Sequence, residues 1–141
     1  HQSWKKSFED RYATVTQDRI LIKTVPSQLS FNVPDFTVKA GKTYRFVFEN
    51  PDHMLHNLVI TRPGKAVAVG ELADAMTSQP DAMARHYVPK SDQILFATPQ
   101  IPHHGKFEES FTAPTKPGKY PVICTFPGHW RLMKSVMIVE D

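Results

Sequence analysis

Proline divides this chain into short segments, and that division limits the possible folds more than any other feature. Twelve prolines occur in 141 residues, against six glycines, and proline interrupts helix interiors and central strands alike. The stretches between these breaks are rich in β-branched and aromatic residues, which favour strands. Strands are predicted at 20–25, 36–38, 43–50, 56–61, 94–98, 107–112, 120–124 and 135–139. About eight short strands predict an all-β sandwich.

The segment 43–50 shows the clearest strand pattern. Tyr44, Phe46 and Phe48 alternate with the residues between them, which is typical of a strand with one face in a core. A chain of 141 residues buries enough apolar surface to form one core without disulfides or a structural metal. One domain is therefore expected.

Two segments between the predicted strands favour helix. Residues 69–76 and 81–86 are both helix-compatible, and Pro80 is either a break or a helix start. Leu72 and Met76 are four residues apart, a spacing that predicts burial on one side. The expectation is a short helical flap packed against the sandwich.

The predicted domain comprises residues 20–141, preceded by an extension at 1–19. Trp4, Phe8 and Tyr12 are four residues apart, so the extension favours a short amphipathic helix. Such a helix would be either an ordered leader packed on the domain or a docking element.

Charge and hydropathy exclude several classes of protein. The formal charge of +3 comes from scattered Lys and Arg rather than a basic run, which argues against nucleic-acid binding and favours an acidic protein partner. No apolar run approaches the ~20 residues that a membrane helix needs, so no membrane span is expected. Residues 1–11 lack the apolar segment of a signal peptide, which leaves a mature form, an excised domain or a cytosolic protein.

The strongest chemical signal is one short loop after a predicted strand. Cys124, His129 and Met133 lie within ten residues and offer a thiolate, an imidazole and a thioether. These are soft or borderline ligands, suited to a metal that must stay bound as both Cu(I) and Cu(II). Pro127 and Gly128 allow the loop to turn back so that all three side chains face one centre.

A second imidazole is expected from His56, which follows the loop at 51–55. If the loop at 115–119 is a hairpin at one end of the sandwich, the next strand delivers Cys124 to the opposite end. If strand 43–50 runs to that same end, the following loop places His56 there. Both steps are geometric hypotheses.

The letters CTFPGHWRLM, together with the His-Asn pair at 56–57, resemble the copper motif of the azurin and auracyanin family of cupredoxins. The resemblance covers about residues 36–139 and implies a Greek-key β-sandwich, the cupredoxin fold, holding one type 1 copper ion. The resemblance implies His56, Cys124 and His129 as equatorial ligands and Met133 as a weak axial ligand.

Around those ligands, the resemblance implies further roles. Leu55 stands where the family often has glycine, and its carbonyl is a candidate weak axial ligand opposite methionine. Asn57 matches an asparagine of the family that hydrogen-bonds beside the ligand loop, and Thr125 and Phe126 are expected to join it around the cysteine sulfur.

The implied function is electron transfer, not catalysis. Electrons are expected to leave through the ring edge of His129, across a partner-docking patch made of Met54, Leu55, Pro127, Gly128 and Trp130. The implied partner is a redox protein, such as a c-type cytochrome or a copper/haem oxidoreductase, and the implied compartment is periplasmic or otherwise extracytoplasmic. Trp130 is unusually bulky for its position and either seals the copper or forms the contact.

Other functions remain open from the sequence. One is a copper relay domain of a larger oxidoreductase, and another is copper storage or delivery. Cys-His nucleophilic catalysis is disfavoured because no oriented third group is evident and methionine has no role in it. Zinc is disfavoured because its sites exclude methionine.

Several histidines have two readings. His103 and His104 belong either to a solvated loop or to a functional site, which would be a partner contact or a weak second metal site. The same two alternatives apply to His53 and His86. His1 is either a copper-chelating terminus or a processing or cloning boundary.

Overall fold

Two β-sheets packed face to face form the body of the protein. The computed structural model describes residues 13–141, which form eight strands and one helix. In chain order these are β1 (Arg19–Lys23), β2 (Phe36–Lys39), β3 (Thr43–Asn50), β4 (Val59–Thr61), α1 (Ala66–Met76), β5 (Ile94–Ala97), β6 (Gly105–Thr112), β7 (Gly118–Ile123) and β8 (Lys134–Glu140). The predicted helix at 4–12 lies outside the described residues, and the division into 1–19 and 20–141 stays a prediction.

The strand order confirms the predicted sandwich. One sheet has the order β1-β3-β6 and the other β2-β8-β7-β4-β5. The pairs β1–β3 and β2–β8 are parallel, and the other pairs are antiparallel. Among residues 13–141, no helix is long and apolar enough to cross a bilayer.

The loop at 115–119 is not a hairpin, so that prediction is wrong. It joins β6 to β7, which lie in different sheets, and so it crosses from one layer to the other. The expected direction still holds, since β7 ends at Ile123, one residue before Cys124.

The core lies between the sheets and follows the period of two expected for strands. In β3, Tyr44, Phe46 and Phe48 are buried while Arg45 is exposed, as the alternation predicts. Val47 departs from the alternation, since it is also buried. The same cluster of buried residues includes Cys124 and side chains from both sheets. The cysteine therefore belongs to the main core.

Helix α1 covers the outer face of the five-stranded sheet. Its buried residues include Val69, Ala73 and Met76, while Leu72 is 44% exposed. The predicted burial of Leu72 is therefore wrong, because the apolar stripe through 69, 73 and 76 is centred about 65° away from position 72 around the helix.

The predicted helix at 81–86 is also wrong, because the segment forms consecutive turns. The Tyr87 N–H donates to the Ala82 carbonyl, a span of five residues, and the Arg85 N–H donates to Asp81, a span of four. His86 and Tyr87 both have positive φ, a region that costs energy for residues other than glycine. A helix cannot continue through them.

Candidate metal centre

The loop from Cys124 to Met133 folds back on itself through its own backbone. The His129 N–H donates to the Phe126 carbonyl at 2.9 Å, and the Met133 N–H donates to the His129 carbonyl at 2.8 Å. The Cys124 N–H then donates to the Met133 carbonyl at 3.3 Å. Gly128 has φ +82°, which glycine adopts without a Cβ penalty. The first and last candidate ligands of the loop are thus adjacent.

Asn50 organises the loop that delivers His56. Its amide nitrogen donates to the carbonyls of Met54 at 2.8 Å and Ile101 at 2.7 Å. Its amide oxygen accepts from the Thr24 hydroxyl and the Asp52 N–H. The prediction that a strand begins at His56 is wrong. His56 forms an isolated β-bridge with Ile101, and β4 begins at Val59.

The three strongest candidate ligands converge. The Cys124 Sγ lies 3.8 Å from Nδ1 of His56 and 3.6 Å from Nδ1 of His129, and the three ligand atoms lie within 4.8 Å of one another. Bonds of about 2.3 Å to sulfur and about 2.0 Å to nitrogen, at a trigonal angle, separate such atoms by about 3.7 Å. The spacing therefore fits one metal ion. Met133 is fully buried in the same cluster as Cys124.

Burial keeps the Cys124 thiol and the His129 imidazole uncharged before a metal binds. It raises the pKa of the Cys124 thiol to about 11, although N–H groups of Asn57 and Phe126 that hydrogen-bond to the sulfur lower it. Burial, followed by the neighbouring His56, lowers the pKa of His129 to about 4. A neutral imidazole is ready to bind a metal, whereas the thiol must release its proton.

Comparison with known proteins decides the family. The profile of the copper binding proteins of the plastocyanin/azurin family matches residues 19–140. The chain belongs to this family. Auracyanin-A of Chloroflexus aurantiacus is 32% identical over 115 residues, which is 80% of this chain and 68% of that protein. The cofactor of this cupredoxin is copper, and His56, Cys124 and His129 are positioned as its site.

Solved structures support the same assignment. Reduced auracyanin from Roseiflexus castenholzii is 31% identical, with a TM-score of 0.78, over 90% of this chain and all of that one. Auracyanin A of Chloroflexus aurantiacus, a "blue" copper protein, is 32% identical, with a TM-score of 0.77, over 86% of this chain and 98% of that one. An azurin from Methylomonas sp. strain J, 18% identical with a TM-score of 0.75 over 89% and 100%, shares the fold.

Asn57 joins the two ligand segments. Its amide nitrogen donates to the Thr125 hydroxyl at 2.7 Å, and its amide oxygen accepts from the Thr125 N–H at 2.8 Å. A third bond runs from the same nitrogen to the His86 carbonyl at 3.2 Å. The ring of Phe126 lies 4.7 Å from that of His129, centroid to centroid. The structure thus brings together all three residues predicted to surround the ligands.

Replacing Asn57 by alanine should destabilise the copper-free protein by about 2–4 kcal/mol, because buried donors and acceptors lose their partners. Thr125→Val is the matched control: it removes one of these bonds and should cost about 1 kcal/mol. Urea denaturation measures both free energies of unfolding. Equal losses in the two variants would contradict a role for Asn57 as the joining residue.

Trp130 does not line an exposed patch, so that part of the predicted docking patch is wrong. It is 6% exposed and packs against α1, with Val69, Val59 and Ile123 in the same cluster. Its indole Nε1 lies 3.1 Å from both carboxylate oxygens of Asp74. The bulky side chain therefore fixes the ligand loop to the helix.

The other predicted patch residues lie at or near the surface. Met54 is 44% exposed, Gly128 is exposed, and Leu55 and Pro127 are half-buried. The sequence analysis missed Leu132, which is 69% exposed in the ligand loop. The signal was available, since Leu132 directly precedes Met133, a predicted ligand, in a loop between two predicted strands.

The structure also supplies the oriented third group that the sequence did not reveal. Asp52 Oδ2 lies 2.7 Å from His56 Nε2, so cysteine, histidine and aspartate form a chain of contacts. The expectation that no such group exists is therefore wrong. Nucleophilic catalysis is disfavoured for other reasons, since Cys124 is 0% exposed and burial raises its pKa.

Three of the ambiguous histidines form a surface stack beside Asp52. The ring centroids of His53 and His103 are 4.1 Å apart, and those of His103 and His104 are 3.6 Å apart. Their nitrogens do not form a convergent metal group in the part of the chain that the structure describes. His86 instead accepts a hydrogen bond from the Gln100 N–H at its Nδ1.

Proposed function

We propose that this cupredoxin carries single electrons on one type 1 copper ion that alternates between Cu(I) and Cu(II). The observation that carries the proposal is the spacing of Cys124 Sγ from the two histidine Nδ1 atoms, 3.8 and 3.6 Å. In this proposal Met133 would add a weak thioether ligand, and the Leu55 carbonyl is a candidate for a further weak one. Copper, when bound, supplies the one-electron couple.

The surrounding residues favour transfer without rearrangement. Asn57 connects the two ligand segments, Asp52 holds the far side of His56, and Trp130 fixes the loop to α1. Ligands held in one position by such contacts need little reorganisation when the charge on the metal changes. This supports a carrier rather than an enzyme, because nothing in the proposed cycle requires a bond to a substrate.

The proposed exit for the electron is His129. It is 4% exposed, while His56 is 0% exposed, so only the former reaches the surface. The proposed docking surface consists of exposed or half-buried residues of the two ligand loops and would suit weak, rapid docking: Met54, Leu55, Pro127, Gly128 and Leu132. The proposed partner is a redox protein, such as a c-type cytochrome or a copper/haem oxidoreductase, met in the periplasm or another extracytoplasmic space.

A redox titration of the copper-loaded protein tests the proposal. We expect an intense thiolate-to-copper absorption band that is lost on adding one electron per chain and returns on reoxidation. A mediator titration followed by visible absorption gives the number of electrons. A copper-loaded protein without the band, or one that does not return to its starting spectrum, would contradict the proposal.

A further inference from the structure

Asp52 is a buried carboxylate in direct contact with a candidate copper ligand. Its Oδ2 lies 2.7 Å from Nε2 of His56, and the two residues are 3% and 0% exposed. His56 approaches the metal position with its other nitrogen, Nδ1. The carboxylate thus lies one imidazole ring away from the position that the ligand atoms surround.

Backbone donors keep Asp52 in this position. Its Oδ1 accepts from the Ser27 N–H at 2.9 Å, where Ser27 has φ +63°, and its own N–H donates to Asn50 Oδ1 at 3.0 Å. The His53 N–H is a further backbone donor to the carboxylate. The site is built to hold an anion.

The contact fixes the state of the histidine. A carboxylate only accepts hydrogen bonds, so Nε2 of His56 carries the proton and the Nδ1 lone pair faces the metal position. A carboxylate behind a ligating histidine also makes the imidazole a better donor. Its negative charge stabilises the more positive oxidation state of a nearby metal.

We propose that Asp52 is a positioning residue that holds His56 and, through its charge, lowers the reduction potential of the copper. The inference rests on the proposed function and adds a specific determinant of the potential. A neutral partner for His56 would shift the equilibrium toward Cu(I).

Asp52→Asn tests this inference by removing the charge while keeping an oxygen that can face His56. We expect the blue band to remain and the Cu(II)/Cu(I) equilibrium, measured against a mediator, to shift about tenfold toward Cu(I), or about 59 mV for one electron. The matched control is Glu140→Gln, which removes one charge from an exposed ion pair at the far end of β8. Equal potentials in the two variants would overturn the inference.

A measurement on the wild type covers the case in which Asp52→Asn does not fold. In the diamagnetic Cu(I) protein, NMR should show a proton on His56 Nε2 that exchanges slowly with solvent. A His56 proton on Nδ1 instead, or rapid exchange at Nε2, would overturn the inference. A wild type that lacks the blue band would remove the proposed function as well, so the two failures are distinguishable.

Discussion

Cys124→Ser should lose the thiolate-to-copper absorption band completely and most of its affinity for Cu(II). A serine hydroxyl does not ionise at neutral pH and is a harder donor, so the site keeps two imidazoles but loses its soft anionic ligand. The side chain is 0% exposed and the change is small, so the copper-free fold should persist. The stabilisation that copper gives the wild type, about 2.7 kcal/mol at 100 times Kd, should largely disappear.

Visible spectra and thermal unfolding with and without Cu(II) measure both effects. Leu132→Ala is the control, because it lies in the same loop, is 69% exposed and is not a ligand. It should keep the band and the copper-dependent rise in Tm. Retention of the band in Cys124→Ser would show that the thiolate is not a copper ligand.

Gly70→Ala should destabilise the copper-free protein by about 1–3 kcal/mol, although alanine favours helix. A Cβ at position 70 would lie 2.2 Å from Cδ2 and 2.5 Å from Cε2 of Trp130. These distances are far below van der Waals contact, so either α1 or the indole must move. Urea denaturation measures the loss, and Val67→Ala, at a 59% exposed position of the same helix, should change stability little.

A double variant isolates the contact. In a Trp130→Leu background the smaller side chain leaves room for the new methyl group, so Gly70→Ala should cost less there than in the wild type. The difference is the coupling energy of the pair. Additive effects would mean that the cost does not come from the indole.

The sequence predicts the main features of the fold because they depend on local periodicity. Strand β3 occupies the predicted positions 43–50, and its burial alternates from Thr43 to Phe46 before Val47 departs from the pattern. Cys124 and His129 belong to one short loop, so their convergence depends on few turns. The position of His56 is harder to predict because it lies far from this loop in the sequence, yet the ends of adjacent strands restrict where its own loop can lie.

What the sequence does not reveal depends on long-range contacts. Asp52 meets its backbone donor Ser27 across 25 residues, and no periodic pattern links them. The predicted burial of Leu72 is wrong because the sheet that a helix covers determines which of its faces is buried. The helix predicted at 81–86 is absent because His86 and Tyr87 have positive φ, although the composition of the segment is compatible with a helix.

Helix α1 restricts how this copper loop can be transplanted. A graft of residues 124–133 into another sandwich would carry the Cys, His and Met side chains. The indole of Trp130 would then lack both Gly70, against which it packs, and its hydrogen-bond partner Asp74. The grafted loop would then lose the support that sets the position of His129. Protein engineering with this centre therefore requires the loop and the helix to be exchanged as one unit.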